Sequence, residues 1–523
     1  MRKKCSALRD FGSMAHILLR PCQLQRIGFW NMSVDKFKVF NLQDERVKTL
    51  HFSWIAFFIT FFMWFCHASL MPYIQDTFGL SNAEAKALLF LNVALTIPAR
   101  VWVGSLVDKY GPRRMYSGLL AVSGVICIAF SAAQNYEQLA AARFLLGFSG
   151  AGFVIGIRLV TEWFPASQAG GAQGIYGGWG NFGAAVANFV LPVMTVYFAA
   201  IMTDGWRGAV AVAGVISIIY SVIFYINVRN TPRGATYFSP KKLGPMEVTS
   251  RGDFILFMVM TAPIFIAMAI ICWRLSPAGV ALLSESVTYA IWVCLGLWFV
   301  VSMYNSFLFN RDNLSNSVAK IHRYKFKQVA MLDLAYAVTF GSEVAIVSTL
   351  PLLFVTEYGY TPSKAALLAG IFMAMNLIAR PGGGYLSDIY GRKKTLLMTV
   401  IGSAIGYLGL SLMTPNWEFW HIVVVVVFCS FFVQAGAGAT FGVVPTIKRR
   451  LTGQIAGMTG SYGNVGAASF LLVNSFYESS VFFFVMSASC FVVFGLLQMF
   501  LEEPKGQIAE IDEDGSVVLI DVG

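Results

Sequence analysis

The stretch ARVWVGSLVDKYGPRR, residues 99–114, returns 280 positions later (379 minus 99) as ARPGGGYLSDIYGRKK, residues 379–394. In both copies an arginine, Arg100 or Arg380, stands eight residues before an aspartate and lies inside an apolar run. A charge inside a membrane is costly, so an arginine at such a place is expected to serve a function. Two arginines at equivalent places of a duplicated frame are predicted to face each other across a pseudo-symmetry axis. In that arrangement they are suited to holding an anion.

The composition is that of an integral membrane protein. The chain is 57% hydrophobic and only 12% charged, with a mean hydropathy of +0.66, unlike an ordinary soluble protein. Apolar runs of about 20 residues or more recur along it, and each is long enough to cross a bilayer core. The fourteen membrane helices that we predict cover 52–74, 86–108, 114–134, 138–161, 170–200, 208–228, 254–274, 288–310, 329–356, 363–388, 395–414, 419–445, 453–477 and 480–501.

The distribution of basic residues predicts the orientation. With the amino terminus inside, most lysines and arginines fall in cytoplasmic loops, and the outward loops or their edges hold only Lys86, Arg207, Arg274 and Lys364. Both termini are therefore expected in the cytoplasm. The net charge of +11 is interpreted as this insertion signal. Nucleic-acid binding is not predicted, because no basic face is interleaved with exposed aromatic residues.

The fold class predicted is all-α and integral to the membrane, with two six-helix bundles and an extra helix pair between them. The predicted regions are a cytoplasmic tail at 1–50, a six-helix half at 51–228, a central region with two extra helices at 229–328, a second six-helix half at 329–501 and an acidic cytoplasmic tail at 502–523. Met32 offers an alternative start, so residues 1–31 are expected to be dispensable. The acidic tail is expected to be mobile.

Asp108 and Asp388 lie at the predicted inner ends of the second helix of each half, followed by a glycine and basic residues that include Arg113 and Arg392. Such a unit can lock neighbouring helices in one state and release them in another. The pattern G-x-x-x-D-x-x-G-x-[RK]-[RK] resembles the cytoplasmic loop signature of the major facilitator superfamily. Its presence in both halves fits the parallel repeats of this transporter class.

A second motif is also duplicated: WGNFGAA at 179–185 returns as YGNVGAA at 462–468. Small residues at helical spacing let helix backbones approach closely in lipid. Packing alone does not explain the asparagine in each run, Asn181 or Asn464, because an unpaired amide is expensive to bury. These two side chains are expected to donate hydrogen bonds to an anion.

Together these elements resemble the nitrate/nitrite porter branch of the major facilitator superfamily, over most of residues 50–501 apart from the helix pair at 254–310. The resemblance extends to the aromatic residues of the first helix and to Tyr336-x-x-x-Phe340-Gly-Ser-Glu343. It implies a substrate held by one arginine from each half and by aromatic rings. The residues to which this role carries over are Arg100, Arg380, Tyr336 and Phe340, with Asn181 and Asn464 lining the path.

The chemistry of the side chains agrees with a small, flat anion. A guanidinium group matches an oxyanion with two parallel hydrogen bonds, which an ammonium group cannot do. Tyr336, Phe340 and Glu343 share one helical face at i, i+4 and i+7, and Glu343 is the one acidic residue that we place near the bilayer middle. Two arginines and Glu343 leave one positive charge, which a monovalent anion would neutralise. Glu343 either carries a proton or remains an ion-paired structural partner.

Other intramembrane charges have simpler interpretations. Arg143, followed by Gly147 and Ala151, resembles a fourth-helix motif of the superfamily and is expected to steer or gate. Arg158 and Glu162 stand one helical turn apart and are predicted to pair and to contact the Asp108 loop.

The sequence thus predicts a secondary active transporter for nitrate and/or nitrite that works by alternating access, by proton symport or by nitrate/nitrite exchange. The alternatives are a transporter of another small anion and a membrane sensor or scaffold that transports nothing. No enzyme, cofactor or metal site is predicted, because P-loop, H-E-x-x-H and nucleophile-elbow patterns are absent. The expected partners are the anion, a coupled proton and the lipid bilayer.

Overall fold

The structure, a computed structural model, describes residues 38–240, 243–315, 323–511 and 517–521. Most of the predicted tail at 1–50 and the loop lysines at 241, 242 and 320 therefore lie outside the described residues. The N-terminal half consists of α1 Glu45–Phe78, α2 Asn82–Ala94, α3 Thr96–Tyr110, α4 Pro112–Ser131, α5 Tyr136–Leu146, α6 Gly152–Trp163, α7 Ala166–Ala199 and α8 Gly205–Asn227. The central pair is α9 Arg251–Leu275 and α10 Glu285–Ser315.

The C-terminal half consists of α11 Phe326–Thr356, α12 Pro362–Ala374, α13 Ala379–Tyr390, α14 Arg392–Ser411, α15 Phe419–Val443, α16 Thr452–Asn474 and α17 Ser479–Phe500. Short 3-10 turns occupy Gly147–Ala151, Met375–Leu377, Val444–Thr446 and Arg449–Leu451. Strands β1 Gln507–Ile511 and β2 Val517–Asp521 follow.

All fourteen segments predicted to be membrane helices are helical, some with a break. In the described part of the chain, twelve helical stretches are long and apolar enough to cross a membrane. The two predicted spans that do not reach this measure are α12 with α13, which is broken, and α16, which is rich in glycine and polar residues. The all-α membrane fold is confirmed.

The breaks have a local cause. The spans predicted at 86–108 and 363–388 are each divided a few residues before the arginine of the duplicated frame. Pro98 and Pro381 stand in the first turn of the second segment, α3 or α13. A proline is tolerated there, but it has no N–H to continue the hydrogen bonds of the preceding helix and its ring clashes with that turn. Arg100 and Arg380 consequently lie near the start of a new helical segment.

The two halves meet where glycines of α3 and α13 face glycines of the opposite half. A Cβ atom on Gly104 would collide with the carbonyl oxygen of Gly453 in α16, and one on Gly384 would collide with that of Gly170 in α7. Within each half, α1 packs on α7 and α11 packs on α16. Helices α7 and α16 therefore lie between their own half and the other half, which places the duplicated glycine-asparagine runs at the interface.

The extra pair, α9 and α10, contacts both halves. The Tyr462 hydroxyl of α16 donates to the Met260 carbonyl of α9 at 2.6 Å. The rings of Trp102 in α3 and Trp298 in α10 lie 5.4 Å apart. Most of α10 is exposed and apolar, as expected for a helix that faces lipid.

The carboxyl-terminal segment differs from the mobile tail expected. Strands β1 and β2 pair antiparallel, with Gln507 opposite Asp521. The Lys325 ammonium donates to Glu502 at 2.7 Å, and together with Lys327 it holds the pKa of that carboxyl below its ordinary value. Glu503 accepts from the backbone N–H groups of residues 392 and 393, both at 2.7 Å. These bonds fix the start of the segment to the first residues of α11 and α14.

We expect Gly463→Leu to destabilise the protein. A Cβ at this position would lie 2.6 Å from the Phe340 ring and 2.8 Å from the Tyr336 ring, and overpacking of this kind costs roughly 1–3 kcal/mol or more. The thermal midpoint in detergent, followed by fluorescence-detected size exclusion, should fall by a few degrees. Gly495→Leu in α17, where a Cβ meets open space, is the matched control. Equal midpoints for the two variants would contradict this packing.

Candidate functional site

Arg100 of α3 is fully buried and reaches across to the C-terminal half. Its Nε donates to the carbonyl of Gly150 at 3.0 Å, in the 3-10 turn that breaks the fourth span. Its Nη1 donates to the carbonyl of Gly460 in α16 at 2.6 Å. Its Nη2 has no hydrogen-bond partner among the described residues. One N–H edge of a buried cation is therefore available to an acceptor that the protein does not supply.

Arg380 of α13 makes the equivalent contact in the opposite direction. Its Nη1 approaches the carbonyl of Gly177 in α7 at 3.5 Å, and its Nη2 donates to the Tyr336 hydroxyl at 3.1 Å. Gly177 and Gly460 are themselves equivalent, because their numbers differ by the same 283 (460 minus 177) as the two asparagines of the duplicated runs. Each arginine thus uses the glycine-rich helix of the other half as its acceptor.

The two guanidinium groups share two aromatic rings. The Arg100 guanidinium carbon lies 5.8 Å from the Phe153 centroid and 5.3 Å from the Phe340 centroid, and the corresponding distances for Arg380 are 5.9 and 5.5 Å. Both separations are within the range of a cation–π contact. The Tyr336 ring is nearly parallel to Phe153 and to Phe340, at 2° and 4°. The structure therefore brings together Arg100, Arg380, Tyr336 and Phe340, as the sequence predicted.

Phe153 was missed from the sequence, although a signal for it exists. Gly150-Ala-Gly-x-x-x-Gly156 returns as Gly436-Ala-Gly-x-x-x-Gly442, offset by 286 (436 minus 150). This third duplicated motif lies in α6 and α15 and in the turn before α6. Its glycines allow close packing: a Cβ on Gly152 would lie 2.8 Å from the Thr60 hydroxyl oxygen, and one on Gly156 would collide with the Tyr176 ring. Phe153 itself lies between these two glycines in the sequence.

The two asparagines occupy different surroundings. The Asn181 amide donates to Glu343 Oε1 at 2.8 Å, and the Asn376 amide, which the sequence analysis did not single out, donates to the same oxygen at 2.7 Å. Asn464 is fully buried, and within the described ranges neither its nitrogen nor its oxygen has a hydrogen-bond partner. Its amide is therefore open to an incoming polar group.

Glu343 borders a small cavity. The space is about 20 Å³, which exceeds the roughly 10–15 Å³ that one water needs. Its polar lining comes from Asn181, Glu343 and Asn376, and the rest is apolar. Glu343 Oε2 has no hydrogen-bond partner, and in the described part of the chain no basic side chain pairs with Glu343.

Glu343 is not the only buried carboxylate of α11, which corrects the sequence analysis. Asp333 is fully buried and stands three residues before Tyr336. Its Oδ1 accepts from the Thr459 hydroxyl at 2.7 Å, whereas its Oδ2 has no partner among the described residues. An aspartate inside the apolar run at 329–356 is a signal that the general rule on intramembrane charges would have caught.

The duplicated aspartates join the two halves at the end of the fold where α3 and α13 finish. The Asp108 carboxylate accepts from the backbone N–H groups of Gly453 and Gln454, both at 2.8 Å, at the start of α16. The Asp388 carboxylate accepts from those of Gly170 and Gly171 in α7, at 2.9 and 2.7 Å. Gly453 and Gln454 lie in the first turn of α16, where N–H groups are unpaired and the helix dipole is positive, so Asp108 is well suited to bind there. Gly170 and Gly171 lie one turn farther into α7. We call these two contacts the inner gate.

Glycine follows each of the two aspartates because the backbone there adopts a conformation that favours glycine. Gly111 and Gly391 adopt φ of +83° and +97°, which side-chain-bearing residues rarely do. This backbone reversal lets α4 and α14 begin directly after the gate helices. The repeated glycine that helped to define the motif is thus required by the turn.

Arginines reinforce the inner gate. Arg158 Nε lies 3.2 Å from Asp108, and its Nη2 lies 3.0 Å from Glu162, as the sequence predicted. Arg449 of the C-terminal half donates to the Thr161 carbonyl at 2.7 Å. On the other side Arg392 lies 3.2 Å from Asp388.

Arg392 also joins the two halves at the gate, whereas Arg113 does not contact it. Arg392 donates to the carbonyl of Gly442 at 2.5 Å, and it also donates to the carbonyl of Ala166 in the other half. Arg113 instead donates to the Tyr225 carbonyl at 2.7 Å within its own half.

The linker before α9 passes over the inner gate. The Tyr237 hydroxyl donates to the Val107 carbonyl at 2.7 Å, and burial raises the pKa of Tyr237, so this proton is retained. The Phe238 carbonyl accepts from Arg158 at 2.6 Å. Farther along, Glu247 pairs with Arg450 at 2.8 Å. The linker therefore contacts both halves beside the inner gate.

Arg143 lies apart from the shared rings. Its Nη2 donates to the carbonyl of Trp64 at 2.6 Å, and the Trp64 ring lies 5.8 Å from the Arg100 guanidinium carbon. Nε and Nη1 of Arg143 have no hydrogen-bond partner within the described ranges. The residue is linked to the site only through Trp64.

Comparison with known proteins identifies the class. The sequence matches the family model of the major facilitator superfamily over residues 53–471 and 332–518. The fold is similar to the human organic anion transporter MFSD10, with a TM-score of 0.61 at 10% identity, covering 87% of this chain and 99% of that one. The chain belongs to the major facilitator superfamily and is a multi-pass membrane protein, not an enzyme.

Two relatives place the chain more closely. It is 40% identical over 513 residues to the nitrate/nitrite transporter NrtP of Picosynechococcus sp., and 40% identical over 477 residues to NrtP of Nostoc punctiforme. Each match covers 90% of this chain and 95% of the relative. Within the superfamily the chain therefore belongs to the nitrate/nitrite porter family, as its motifs predicted.

We expect Asp108→Asn to loosen the inner gate. The amide can no longer pair with Arg158 and accepts poorly from two N–H groups, a loss of roughly 1–3 kcal/mol. Ser105→Cys places a reporter 3.4 Å from Gln454 of the opposite half. Its alkylation by an impermeant maleimide in inside-out vesicles should speed up about five-fold or more in the Asp108→Asn background. The exposed Asp76→Asn serves as control, and equal rates in the two backgrounds would show that Asp108 does not hold the gate.

Proposed function

We propose that this protein moves nitrate and/or nitrite across the cytoplasmic membrane of a bacterium by alternating access, with both termini in the cytoplasm. The 40% identity to two nitrate/nitrite transporters over 90% of the chain supports the substrate class. The concentration of basic residues in the loops on one side supports the orientation.

The observation that carries the proposal is the pair of arginines over shared rings. Arg100 and Arg380 come from opposite halves, yet both guanidinium carbons lie within 6 Å of Phe153 and of Phe340. In a dry interior an anion that links two cations strengthens the contact between the halves, because electrostatic attraction is strong at low dielectric. The anion therefore stabilises the state in which the halves are closed around it.

The lining favours a small, flat, monovalent anion. The nearly parallel rings of Phe153, Tyr336 and Phe340 offer flat faces, and Arg100 Nη2 offers a free donor edge. Guanidinium forks fit planar oxyanions in two-point contacts. A divalent or tetrahedral anion calls for more donors than this apolar wall contains. Asn464, whose buried amide has no partner in the described structure, is proposed as a further donor.

The inner gate supplies the second element of alternating access. In this conformation Asp108 and Asp388 tie each half to the glycine-rich helix of the other at the cytoplasmic side. Along α11, which runs outward in the proposed orientation, the cavity-lining residues Glu343, Val344 and Val347 follow Phe340. We therefore propose that the conformation described is closed to the cytoplasm, and that rocking of the halves breaks the gate.

Glu343 is proposed as the fixed counter-ion of the two arginines. Two amide groups donate to its Oε1, which suits a carboxylate acceptor, and the charges of Arg100, Arg380, Glu343 and one anion then sum to zero. Asn181 accordingly positions Glu343 instead of binding the anion directly.

We expect Arg100→Lys and Arg380→Lys each to reduce nitrate uptake to about a tenth or less, since losing one charged hydrogen bond removes roughly 1.5–3 kcal/mol. The measurement is uptake of labelled nitrate by proteoliposomes containing equal amounts of folded protein. Arg207→Lys is the matched control, because Arg207 binds the carbonyls of residues 131 and 133 at the outer side. Near wild-type uptake by either site variant would refute the clamp, and absence of uptake by the wild type would favour a sensor or scaffold.

We expect Glu343→Gln to slow both net uptake and counterflow of nitrate against internal nitrite. Without the carboxylate, the loaded site retains an uncompensated buried positive charge, which costs several kcal/mol. Rates should be measured at two external pH values. A variant that keeps wild-type counterflow but loses the pH dependence of net uptake would instead identify Glu343 as the proton carrier.

A further inference from the structure

Asp333 is a buried acid that the clamp and the gate do not use. It is fully buried in α11, and one hydroxyl, that of Thr459, donates to it at 2.7 Å. Its Oδ2 has no hydrogen-bond partner, and no basic side chain of the described residues pairs with it. A carboxylate placed so deeply with a single donor is poorly solvated, so the neutral acid is the favoured form while water is excluded.

The surroundings of Asp333 link it to the anion site. Thr459 immediately precedes Gly460, whose carbonyl accepts from Arg100. Along α11, Asp333 lies three residues, about 4.5 Å of helix rise, on the cytoplasmic side of Tyr336, which accepts from Arg380. The helices packed against α11 are α9, α12, α14, α15, α16 and α17. Their buried titratable or charged groups are Cys272 on α9, Arg392 and Tyr407 on α14, Cys429 on α15, Tyr462 on α16 and Cys490 on α17, and half-buried Asp253 lies at the start of α9. Tyr336 and Glu343 lie on α11 itself, and Arg100 and Arg380 lie across the site.

The fold does not require an acid at this position. Pro72 of α1 and Pro351 of α11 are equivalent, with an offset of 279 (351 minus 72), and the same offset relates Phe57 to Tyr336 and Phe61 to Phe340. By this offset Asp333 corresponds to Trp54. The aromatic positions of α1 and α11 are thus duplicated, whereas this acid occurs only in the C-terminal half.

The net charge of the site with and without the anion points to a role for Asp333 in balancing charge. With Glu343 ionised, the loaded site is neutral: two arginines, one anion and Glu343. When the anion leaves, the same site carries one positive charge, and an uncompensated buried charge opposes closure of the empty transporter. Ionisation of Asp333 restores neutrality. Arg143 lies farther outward and keeps its charge whether or not the anion is bound, so it does not change the difference in net charge between the loaded and the empty site.

We propose that Asp333 carries the coupled proton, one for each anion; this inference rests on the proposed function. The acid is protonated while the anion is bound and the inner gate is closed. When the gate opens, α3 separates from α16 and water reaches the helix next to Thr459. The proton then passes from Asp333 Oδ2 to water as the anion leaves, and the ionised carboxylate balances the arginines while the empty protein returns outward. There Asp333 takes a proton from external water, so one proton and one anion enter together.

The test compares two transport modes in the same proteoliposomes. Net nitrate uptake under an inward proton gradient requires the empty protein to return, whereas counterflow of labelled nitrate against internal nitrate does not. Asp333→Asn imitates the protonated acid permanently. We expect it to keep counterflow within about two-fold of wild type and to lose at least about ten-fold of net uptake, since the empty site then keeps its charge. A pH-sensitive dye trapped in the lumen should report acidification on addition of nitrate for the wild type but not for Asp333→Asn.

Thr459→Ser is the matched control, because it alters the same contact but keeps the hydroxyl group that donates to Asp333. It should retain both transport modes and the lumenal acidification. Asp333→Asn that still acidifies the lumen during net uptake would overturn the proposal, and so would loss of counterflow, which would indicate a structural role. A wild-type protein that carries nitrate in neither mode would instead refute the proposed function.

Discussion

The rest of this structure depends on two buried guanidinium groups. An arginine in a membrane must find acceptors inside the protein, and Arg100 and Arg380 find them largely in backbone carbonyls of glycines. A Cβ at Gly460 would approach the Arg100 side chain to 3.2 Å, whereas one at Gly177 would make ordinary contact with Arg380 at 3.5 Å. The other glycines on these faces of α7 and α16 are needed mainly because the backbones of the two arginine helices pass close to them: a Cβ on Gly457 would lie 2.5 Å from the Arg100 carbonyl oxygen, and one on Gly174 2.6 Å from that of Arg380. The arginines account for the exchange of contacts between the halves, since each takes an acceptor from the other half.

The same two helices connect the site to the gate. Helix α16 accepts Arg100 at Gly460 and binds Asp108 through its first-turn N–H groups. Helix α7 accepts from Arg380 at Gly177 and binds Asp388 through the N–H groups of Gly170 and Gly171 in its second turn. Under the proposed mechanism, a change in how an arginine is neutralised is transmitted along one rigid helix to the inner gate. This arrangement gives alternating access a physical route, because the anion and the gate act on the same pair of helices.

Symmetry builds the frame, and departures from it determine the coupling. The arginines, gate aspartates, glycine runs and asparagines are all duplicated. The two acids are not: Asp333 and Glu343 lie on α11, at positions that correspond to Trp54 and Trp64 of α1. Two identical halves would surround the anion with positive charge alone. Acids on one half allow that charge to be balanced with and without the anion.

The sequence by itself determined the membrane fold, the paired arginines, the gate aspartates and the aromatic residues Tyr336 and Phe340. These follow from hydropathy, from the expense of intramembrane charge and from duplicated spacing, all of which are local in the chain. Only the tertiary structure decided that Phe153 joins the rings and that Asn181 binds Glu343 while Asn464 has no partner. It also decided that Arg392 reaches the gate and Arg113 does not. Equivalent residues in a repeat have equal positions but unequal neighbours, and the neighbours are set by how separate helices pack.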